Sequence, residues 1–427
     1  MNTGIMEATR LTREGKLAEA TALIQRTLRG GHAPPNESVG QISSLEPLTP
    51  TGQVATEPAG RPAPSSEAPA PAPADTRKRP YIRATVRRVP TGRPFVSPRM
   101  FPIDLCVPGL EGLFGRGSVL QPTKVDVAGS GQWIAGTHRC AAGTRDYKLY
   151  IPSGYHGQAV PLVVMLHGCT QTPDDFAAGT GMNGVAEAEG FLVAYPAQAH
   201  TANISKCWNW FEAAHQQREQ GEPALIAGIT RQVMAQYNID PGRVYVAGLS
   251  AGGAMAAIMG ATYPDLYAAV AVHSGLAPGC AQDLPSAFQA MKQGGPRGQA
   301  RLGRPVPLIL FHGDGDSTVH ECNADRLVQQ WTTAAGSKTP GADVPPVKVE
   351  RGQVDGGHTY TRQIYCDGRG QPVVERWTIH GAGHAWSGGN HSGSYTDPSG
   401  PDASRELARF FREHPRGDAH TAIGGLI

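Results

Sequence analysis

The chain has few charged residues and no long apolar run. Charged side chains make up 17% of its 427 residues and the formal net charge is +2, so composition indicates no general attraction to nucleic acid or to a membrane surface. No run of eighteen apolar residues occurs, and therefore no transmembrane helix is expected. Hydrophobic residues still make up 40% of the chain, which is enough for a large core in part of it.

The cysteines include no C-x-x-C pair. They are Cys106, Cys140, Cys169, Cys207, Cys280, Cys322 and Cys366. Their spacing does not indicate a zinc site or a thioredoxin-type site, so neither a metal nor another cofactor is expected. An odd number leaves at least one thiol free, and reduced cysteines packed in a core are the expectation for a reducing compartment.

The first thirty residues lack the apolar h-region of a secretory signal peptide, because charged residues interrupt them throughout. A cytoplasmic location is therefore expected. Residues 1–31 have apolar side chains at helical spacing and end in a pair of glycines, which predicts a short amphipathic helical segment. Residues 32–76 are rich in Pro, Ala, Ser and Glu, a composition that predicts a disordered linker.

A basic arm and lead-in follow at residues 77–124. Between residues 77 and 99 there are eight arginines and lysines and no acidic residue. Such a segment is usually just a solvated arm, but it could also tether the protein to a granule or another anionic surface. Specific binding to nucleic acid is not expected.

From residue 125 to residue 415 short apolar runs alternate with helical patterns. The runs include "PLVVMLHG", "FLVAYPAQ", "RVYVAG", "AAVAVHSG", "PLILFHGDGD" and "VVERWTIHGAGH". Strands that alternate with helices predict an α/β domain with a mostly parallel sheet covered on both faces. Residues 416–427 are expected to be a flexible tail.

One short stretch carries the first chemical indication. Gly248-Leu249-Ser250-Ala251-Gly252 follows an apolar strand pattern, precedes an alanine-rich helix pattern and fits G-x-S-x-G. This pattern is typical of the nucleophile elbow of α/β-hydrolases, in which a serine sits on a strained strand-to-helix turn. The sequence therefore predicts that Ser250 is a nucleophile.

An acid and a histidine should follow the serine, each on a loop after a later strand. "HGDGDSTV" offers Asp314 and Asp316, and we prefer Asp316 because the later position lies nearer the histidine, whereas Asp314 can hold the turn. "WTIHGAGHAWSGG" offers His380 and His384. We prefer His384 because it lies in a glycine-flanked loop that can reach inward.

The tetrahedral intermediate of acyl transfer needs two N–H donors at its negative oxygen. One is expected from Ala251, directly after the nucleophile, and the other from Cys169 in the loop of "VVMLHGCTQ". A disulfide from Cys169 to Cys207 would make this loop rigid, and we state that pairing as a hypothesis.

Other side chains near these motifs have less specific roles. His167 and His312 are expected to hold loops rather than to act on substrate. Trp208, Trp210 and Trp386 stand beside the motif loops. They could be ordinary core residues, but we expect them to line a hydrophobic substrate cleft.

Several segments together resemble a known family. "LHGCTQTPDDFAAGTGMN", "FLVAYPAQ", "CWNWF", "VYVAGLSAGGAMA", "HGDGDSTV" and "GAGHAWSGG" are similar to the polyhydroxybutyrate depolymerase-type esterases, which are relatives of feruloyl and acetylxylan esterases. The resemblance spans about residues 130–413. It implies an α/β-hydrolase fold and a metal-free mechanism through Ser250, Asp316 and His384.

The resemblance also implies a substrate class, namely poly(3-hydroxybutyrate), its oligomers or another short-chain ester. Many members of the family are secreted, so secretion is the alternative to a cytoplasmic location. Two other functions stay open. One is a feruloyl or acetylxylan esterase that acts on plant cell-wall esters, and the other is a granule-associated binding protein with incidental esterase activity.

Overall fold

The computed structural model describes residues 131–296, 302–303, 305–336 and 345–416. These residues belong to one of two units into which the chain divides, Met100–Ile427. The predicted N-terminal helix (1–31), linker (32–76) and basic arm (77–124) lie outside the described residues, and so does the tail after residue 416.

The described residues form a ten-stranded sheet and a separate strand pair. The strands of the sheet are β1 (Gln132–Cys140), β2 (Gly143–Ile151), β3 (Val160–Leu166), β4 (Leu192–Pro196), β5 (Ile239–Leu249), β6 (Ala269–His273), β7 (Leu308–Gly313), β8 (Lys348–Gln353), β9 (Thr359–Cys366) and β10 (Pro372–Ile379). The pair consists of β11 (Trp386–Ser387) and β12 (Thr396–Asp397).

Helices connect the strands and cover the sheet. In the described residues they are α1 (Pro173–Thr180), α2 (Met182–Glu189), α3 (Gly221–Gln236), α4 (Ala251–Thr262), α5 (Leu284–Gln293), α6 (Cys322–Ala334) and α7 (Ala403–Glu413). A short 3₁₀ helix spans Ala213–Gln216. None of these helices is both long enough and apolar enough to cross a membrane.

The strand order across the sheet is β1-β2-β4-β3-β5-β6-β7-β10-β9-β8. The six central strands from β4 to β10 run parallel, whereas β1, β2, β9 and β8 pair antiparallel at the two edges. The prediction of a mostly parallel α/β sheet is therefore confirmed. The hairpins at the edges were not predicted, because their strands are partly exposed and lack a continuous apolar run.

Two hydrophobic cores lie on opposite faces of the sheet. Successive residues of β3 alternate between them, with Leu162 and Val164 in one core and Val163 and Met165 in the other. The first core is completed by residues of α3, α4, α5 and α6, and the second by residues of α1, α2 and α7. Because both faces are covered, the central strands are apolar at nearly every position, which explains the continuous runs in the sequence.

Two glycines allow the turn between β5 and α4 to pack closely. A β-carbon on Gly248 would collide with the backbone of Gly252, and a β-carbon on Gly252 would collide with the carbonyl oxygen of Leu166 in β3. These contacts are with main-chain atoms, so no side chain can move aside to make room. The start of α4 therefore rests directly on the end of β3, and only glycine fits at both positions.

Replacing Gly252 with alanine should destabilise the fold, because the added methyl group meets the backbone of β3. We expect a loss of about 1–3 kcal/mol in the free energy of unfolding, which urea denaturation would measure. Gly184→Ala is the matched control. A β-carbon there meets nothing within 4 Å, and alanine in a helix should be neutral or stabilise by up to about 1 kcal/mol. Equal stability of the two variants would contradict the close packing.

Candidate active site

The predicted chemical residues come together at one edge of the sheet. Strands β3, β5, β6, β7 and β10 are consecutive neighbours and all run in the same direction. Their carboxyl ends therefore lie side by side. The loops after β3, β5, β7 and β10 carry Cys169, Ser250, Asp316 and His384 respectively. Residues that are separate along the chain are thus brought to one place by the order of the strands.

Ser250 stands at the turn between β5 and α4. Its backbone angles are φ 57° and ψ −120°, a combination that costs energy for a residue with a β-carbon. The backbone holds this conformation from both sides, because Ser250 N donates to His273 O (2.9 Å) and Ala254 N donates to Ser250 O (2.9 Å). The geometry is that of a strained elbow that presents its side chain at the edge of the sheet.

His384 and Asp316 form a hydrogen-bonded pair. His384 Nδ1 donates to Asp316 Oδ2 at 2.7 Å, and the Asp316 side chain is fully buried. The other carboxylate oxygen, Oδ1, accepts the N–H groups of Thr318 and Val319, each at 2.9 Å. Burial by itself would raise the pKa of Asp316, but the hydrogen bond and charge of His384 outweigh it and hold the pKa below its ordinary value. Asp316 is therefore a carboxylate that fixes the imidazole of His384.

Asp314 and His380, the alternatives from the sequence analysis, form a second hydrogen-bonded pair. Asp314 Oδ2 accepts from His380 Nδ1 at 2.8 Å, and Asp314 Oδ1 accepts the N–H of Gly381 at 2.6 Å. These side chains are 33% and 41% exposed, whereas those of Asp316 and His384 are 0% and 10% exposed. The structure therefore separates a buried pair from a surface pair that holds the turn before His384.

The loop after β3 lies against Ser250. A β-carbon on Gly168 would stand 3.6 Å from the Ser250 β-carbon. The N–H groups around Cys169 are engaged, since Gly168 N donates to Gln171 Oε1 (2.9 Å) and Thr170 N donates to Ser205 O (2.7 Å). In the described part of the chain Cys169 N–H has no such partner. The first N–H groups of helix α4, including that of Ala251, likewise have no partner within the helix.

A disulfide joins Cys169 to Cys207. The loop of Cys207 is also held by the hydrogen bond from Thr170 N to Ser205 O, and by Gln198 Nε2, which donates to Cys207 O at 2.8 Å. The loop that contains Cys169 is therefore linked to the chain after β4 by both covalent and hydrogen bonds. Such links limit the movement of an N–H donor relative to Ser250.

Three buried histidines stand at the carboxyl ends of β3, β6 and β7, and each binds the backbone of a different segment. His167 Nδ1 donates to Gly168 O (2.7 Å) in the loop of Cys169. His273 Nε2 accepts the N–H of Ser387 (3.0 Å) in β11, which follows the loop of His384. His312 Nε2 donates to Val319 O (2.7 Å) in the loop of Asp316. The sequence expectation that His167 and His312 hold loops agrees with these contacts.

All three imidazoles are neutral near pH 7. Burial lowers the pKa of His167 and of His312 to about 4, and burial together with the charges of His312 and His384 lowers the pKa of His273 to about 3. The hydrogen bond of His273 requires this form, because the nitrogen that accepts the N–H of Ser387 cannot carry a proton. The bonds that His167 and His312 donate to carbonyl oxygens do not by themselves require an uncharged ring.

The expectation that Trp208, Trp210 and Trp386 line a substrate cleft does not fit the structure. Their exposed fractions are 0%, 6% and 1%, so Trp208 and Trp386 offer no surface to a ligand and Trp210 very little. Trp208 Nε1 donates to His167 O (3.1 Å), and Trp386 stacks on His273 with ring centroids 5.1 Å apart. The indoles stand beside the motif loops because they support these loops from within the core.

Sequence reasoning did not single out His273 or Gln171. His273 ends an apolar run in the same way as His167 does, and that shared position could have indicated its role. Gln171 gave no comparable indication, since a glutamine in a polar loop is normally exposed. In residues 131–296, 302–303, 305–336 and 345–416, no three His, Cys, Asp or Glu side chains are placed to hold a metal ion.

The chain is similar to several known esterases. Residues 145–342 match the family model described as esterase PHB depolymerase. Over 248 residues the chain is 38% identical to poly(3-hydroxyalkanoate) depolymerase C of Paucimonas lemoignei. The alignment covers 55% of this chain and 57% of that protein. Over 227 residues it is 31% identical to feruloyl esterase B of Neurospora crassa, with 48% of this chain and 73% of that protein covered. The chain thus spans little more than half the length of the depolymerase.

Among solved structures, an acetyl xylan esterase from Aspergillus awamori aligns with 60% of this chain and 94% of its own. The TM-score is 0.50 and the sequence identity is 24%. This likeness shows the α/β-hydrolase fold.

The buried histidines predict how stability depends on pH. Each has a pKa near 3 or 4 when folded and about 6.5 when unfolded, so the unfolded chain takes up protons first as the pH falls. As far as these histidines are concerned, the free energy of unfolding has its full value above about pH 6.5 and decreases at lower pH. Each histidine can lower it by at most about 1.4 kcal/mol for each unit that separates its folded and unfolded pKa values. Urea unfolding between pH 7.5 and pH 5 should show this decrease.

His312→Gln is the informative variant for this prediction. Glutamine can still donate to the Val319 carbonyl but takes up no proton, so the decrease in stability with falling pH should be less steep than in the wild type. The slope is compared rather than the absolute stability, because the substitution also changes packing. Identical slopes would contradict a low pKa for His312.

Proposed function

Because the chain belongs to the esterase PHB depolymerase family, we propose that it is a serine esterase that hydrolyses ester bonds through an acyl-enzyme. The proposed substrates are poly(3-hydroxybutyrate) and related 3-hydroxyalkanoate polyesters or their oligomers. The nucleophile is Ser250, the base is His384, and Asp316 orients and stabilises the imidazole. Cys169 and Ala251 supply the N–H groups of the oxyanion hole.

The observation that carries this proposal is the buried pair of His384 and Asp316, whose loops lie at the same edge of the sheet as the strained Ser250. With Nδ1 bound to the carboxylate, the neutral imidazole of His384 has its other nitrogen, Nε2, free of a proton. Nε2 can therefore take the proton of the Ser250 hydroxyl as its oxygen attacks the ester carbonyl carbon. A serine hydroxyl without such a base is a weak nucleophile at neutral pH.

The remaining steps follow from the same groups. The negative oxygen of the tetrahedral intermediate accepts the N–H groups of Cys169 and Ala251. As the intermediate collapses, the carbon–oxygen bond to the alcohol breaks, and His384 gives its proton to the departing oxygen. Water then attacks the acyl group on Ser250, with His384 again taking the proton. The acid is released and the serine regains its hydrogen.

A second substrate class is favoured by one comparison. Feruloyl esterase B is covered over 73% of its length, a larger share than the 57% of the depolymerase. The alternative is therefore an esterase for feruloyl or acetyl esters of plant cell walls, with the same catalytic residues. The two alternatives differ in the acyl and alcohol parts of the ester and not in the mechanism.

We propose that the protein works in an oxidising compartment. The disulfide of Cys169 and Cys207 supports this proposal, because thiols are kept reduced in the cytosol. It speaks against the cytoplasmic location expected from the first thirty residues. Association of the basic residues 77–99 with a granule or another anionic surface stays a prediction from their charge, since they lie outside the described residues.

Ser250→Ala should abolish hydrolysis of both p-nitrophenyl butyrate and hydroxybutyrate trimer, with kcat lower by at least about 10⁴-fold. The reason is that no other group supplies the attacking oxygen. Release of p-nitrophenol and of hydroxybutyrate would be measured in parallel. Retained activity in the variant would refute the assignment of the nucleophile, and a wild type that cleaves only the aryl ester would favour the cell-wall alternative.

Asp316→Asn should lower kcat by about 10³- to 10⁴-fold, because the amide no longer fixes the reactive tautomer of His384. Asp314→Asn is the matched control, since it makes the same change two residues earlier in the surface pair. We expect its kcat to stay within about threefold of the wild type, as exposed ion pairs contribute little. Steady-state kinetics with p-nitrophenyl butyrate would measure both. Equal losses would mean that the acid has been wrongly assigned.

A further inference from the structure

The side chain of Gln171 is buried beside the proposed oxyanion hole. It is 2% exposed, and its Oε1 accepts the N–H of Gly168 at 2.9 Å. Gln171 N also approaches Gly168 O at 3.4 Å. The side-chain amide therefore holds the peptide group between His167 and Gly168, and the backbone N–H of Gln171 approaches the carbonyl of the next peptide group, which carries the N–H of Cys169. Cys169 is the residue proposed to donate to the oxyanion.

The other end of the same amide reaches a different loop. Gln171 Nε2 donates to Asp175 Oδ2 and to Ser394 O, each at 3.0 Å. Ser394 lies in the segment after His384. This one side chain thus spans from the loop after β3 to the segment between β11 and β12.

The contacts of Asp175 strengthen this bridge. Its Oδ1 accepts Ser394 N at 2.9 Å, and its Oδ2 accepts Ser394 Oγ at 2.5 Å. Asp175 itself is held in the first turn of α1, where its N–H donates to the Thr172 side chain at 3.2 Å. The amide of Gln171 is therefore bound at both ends by groups whose own positions are set by the fold.

We propose that Gln171 is a positioning residue, which aims the Cys169 N–H at the oxyanion and ties this donor to the segment between β11 and β12. The inference rests on the proposed function and deepens it. Gln171 occupies the N–H of Gly168 with its side chain and approaches the Gly168 carbonyl oxygen with its own N–H, so it restrains both sides of the residue whose carbonyl shares a peptide plane with the Cys169 N–H. An N–H donor contributes to catalysis only if it is already aimed where the negative charge develops.

The alternative is that Gln171 simply fills space and satisfies polar groups. The two roles differ in the kinetic quantity that changes. A misaimed oxyanion donor weakens binding of the transition state and leaves binding of the ground-state ester nearly unchanged, so it lowers kcat. General loosening of the fold lowers the number of intact sites and leaves kcat per intact site unchanged.

The test is Gln171→Met, which has similar length and no amide. Intact sites are counted by complete reaction with a p-nitrophenyl phosphonate, and kcat and KM are measured on p-nitrophenyl butyrate. We expect kcat per intact site to fall about 10- to 100-fold, less than the loss for a deleted donor, while KM stays within about threefold.

Gln216→Met is the matched control. Gln216 also clamps a loop with both ends of its amide, since Nε2 donates to Ala281 O (2.8 Å) and Oε1 accepts Gly279 N (2.9 Å). It makes no contact with the loop of Cys169, so its kcat per intact site should stay within about threefold of the wild type.

Three results would overturn the positioning role alone. They are an unchanged kcat in Gln171→Met, a raised KM with kcat unchanged, and equal losses of kcat in both glutamine variants. A wild type that hydrolyses no ester would instead refute the proposed function, and the positioning role with it.

Discussion

Three segments at the carboxyl edge of the sheet are held by hydrogen bonds with buried, uncharged imidazoles. His167, His273 and His312 lie at the carboxyl ends of three strands of the parallel sheet, and they bind the backbone of the Cys169 loop, of β11 and of the Asp316 loop respectively. An imidazole suits this position because it can donate with one nitrogen and accept with the other while its ring packs among apolar side chains. His273, for example, stacks between Phe311 and Trp386.

Because these histidines are packed in the core, the loops that they bind are held in place by the core. The loop of Asp316 is bound to His312 through Val319, and Val319 in turn donates to the carboxylate of Asp316. A side chain in the core thus helps to set the position of Asp316 through two hydrogen bonds. The loop of Cys169 is bound by His167, a disulfide and Gln171. The proposed oxyanion donor in this loop has to be in place before the charge appears, and these links restrict its movement.

The two acid–histidine pairs illustrate what burial decides. Asp314 with His380 and Asp316 with His384 have similar hydrogen-bond lengths, 2.8 Å and 2.7 Å. Geometry within the pairs does not distinguish them. The surface pair is screened by solvent, whereas Asp316 is fully buried and binds two backbone N–H groups in addition to His384. The surface pair shapes the turn that leads to His384, and the buried pair has the environment that acid–base chemistry needs.

The sequence by itself determined the class of fold and the candidate residues. Apolar runs follow from strands covered on both faces, and the glycines around Ser250 follow from the close approach of α4 to β3, so local pattern was sufficient for both. Spacing along the chain also predicted Asp316 and His384 as candidates, with Asp314 and His380 as the alternatives. Spacing does not show whether a side chain is exposed or buried, and for this reason Trp208 and Trp386 were expected to face a substrate, whereas the structure buries them.

Only the tertiary structure decided which acid meets which histidine, and it showed the contacts of His273 and Gln171 with distant segments. These outcomes rest on contacts between residues far apart in the chain, such as Gln171 with Ser394 and Ser387 with His273. Such contacts depend on the order in which the strands lie side by side in the sheet. Local sequence patterns do not predict that order. Candidate catalytic residues can thus be found by their motifs, whereas the residues that hold their loops are found only once these loops have been brought together.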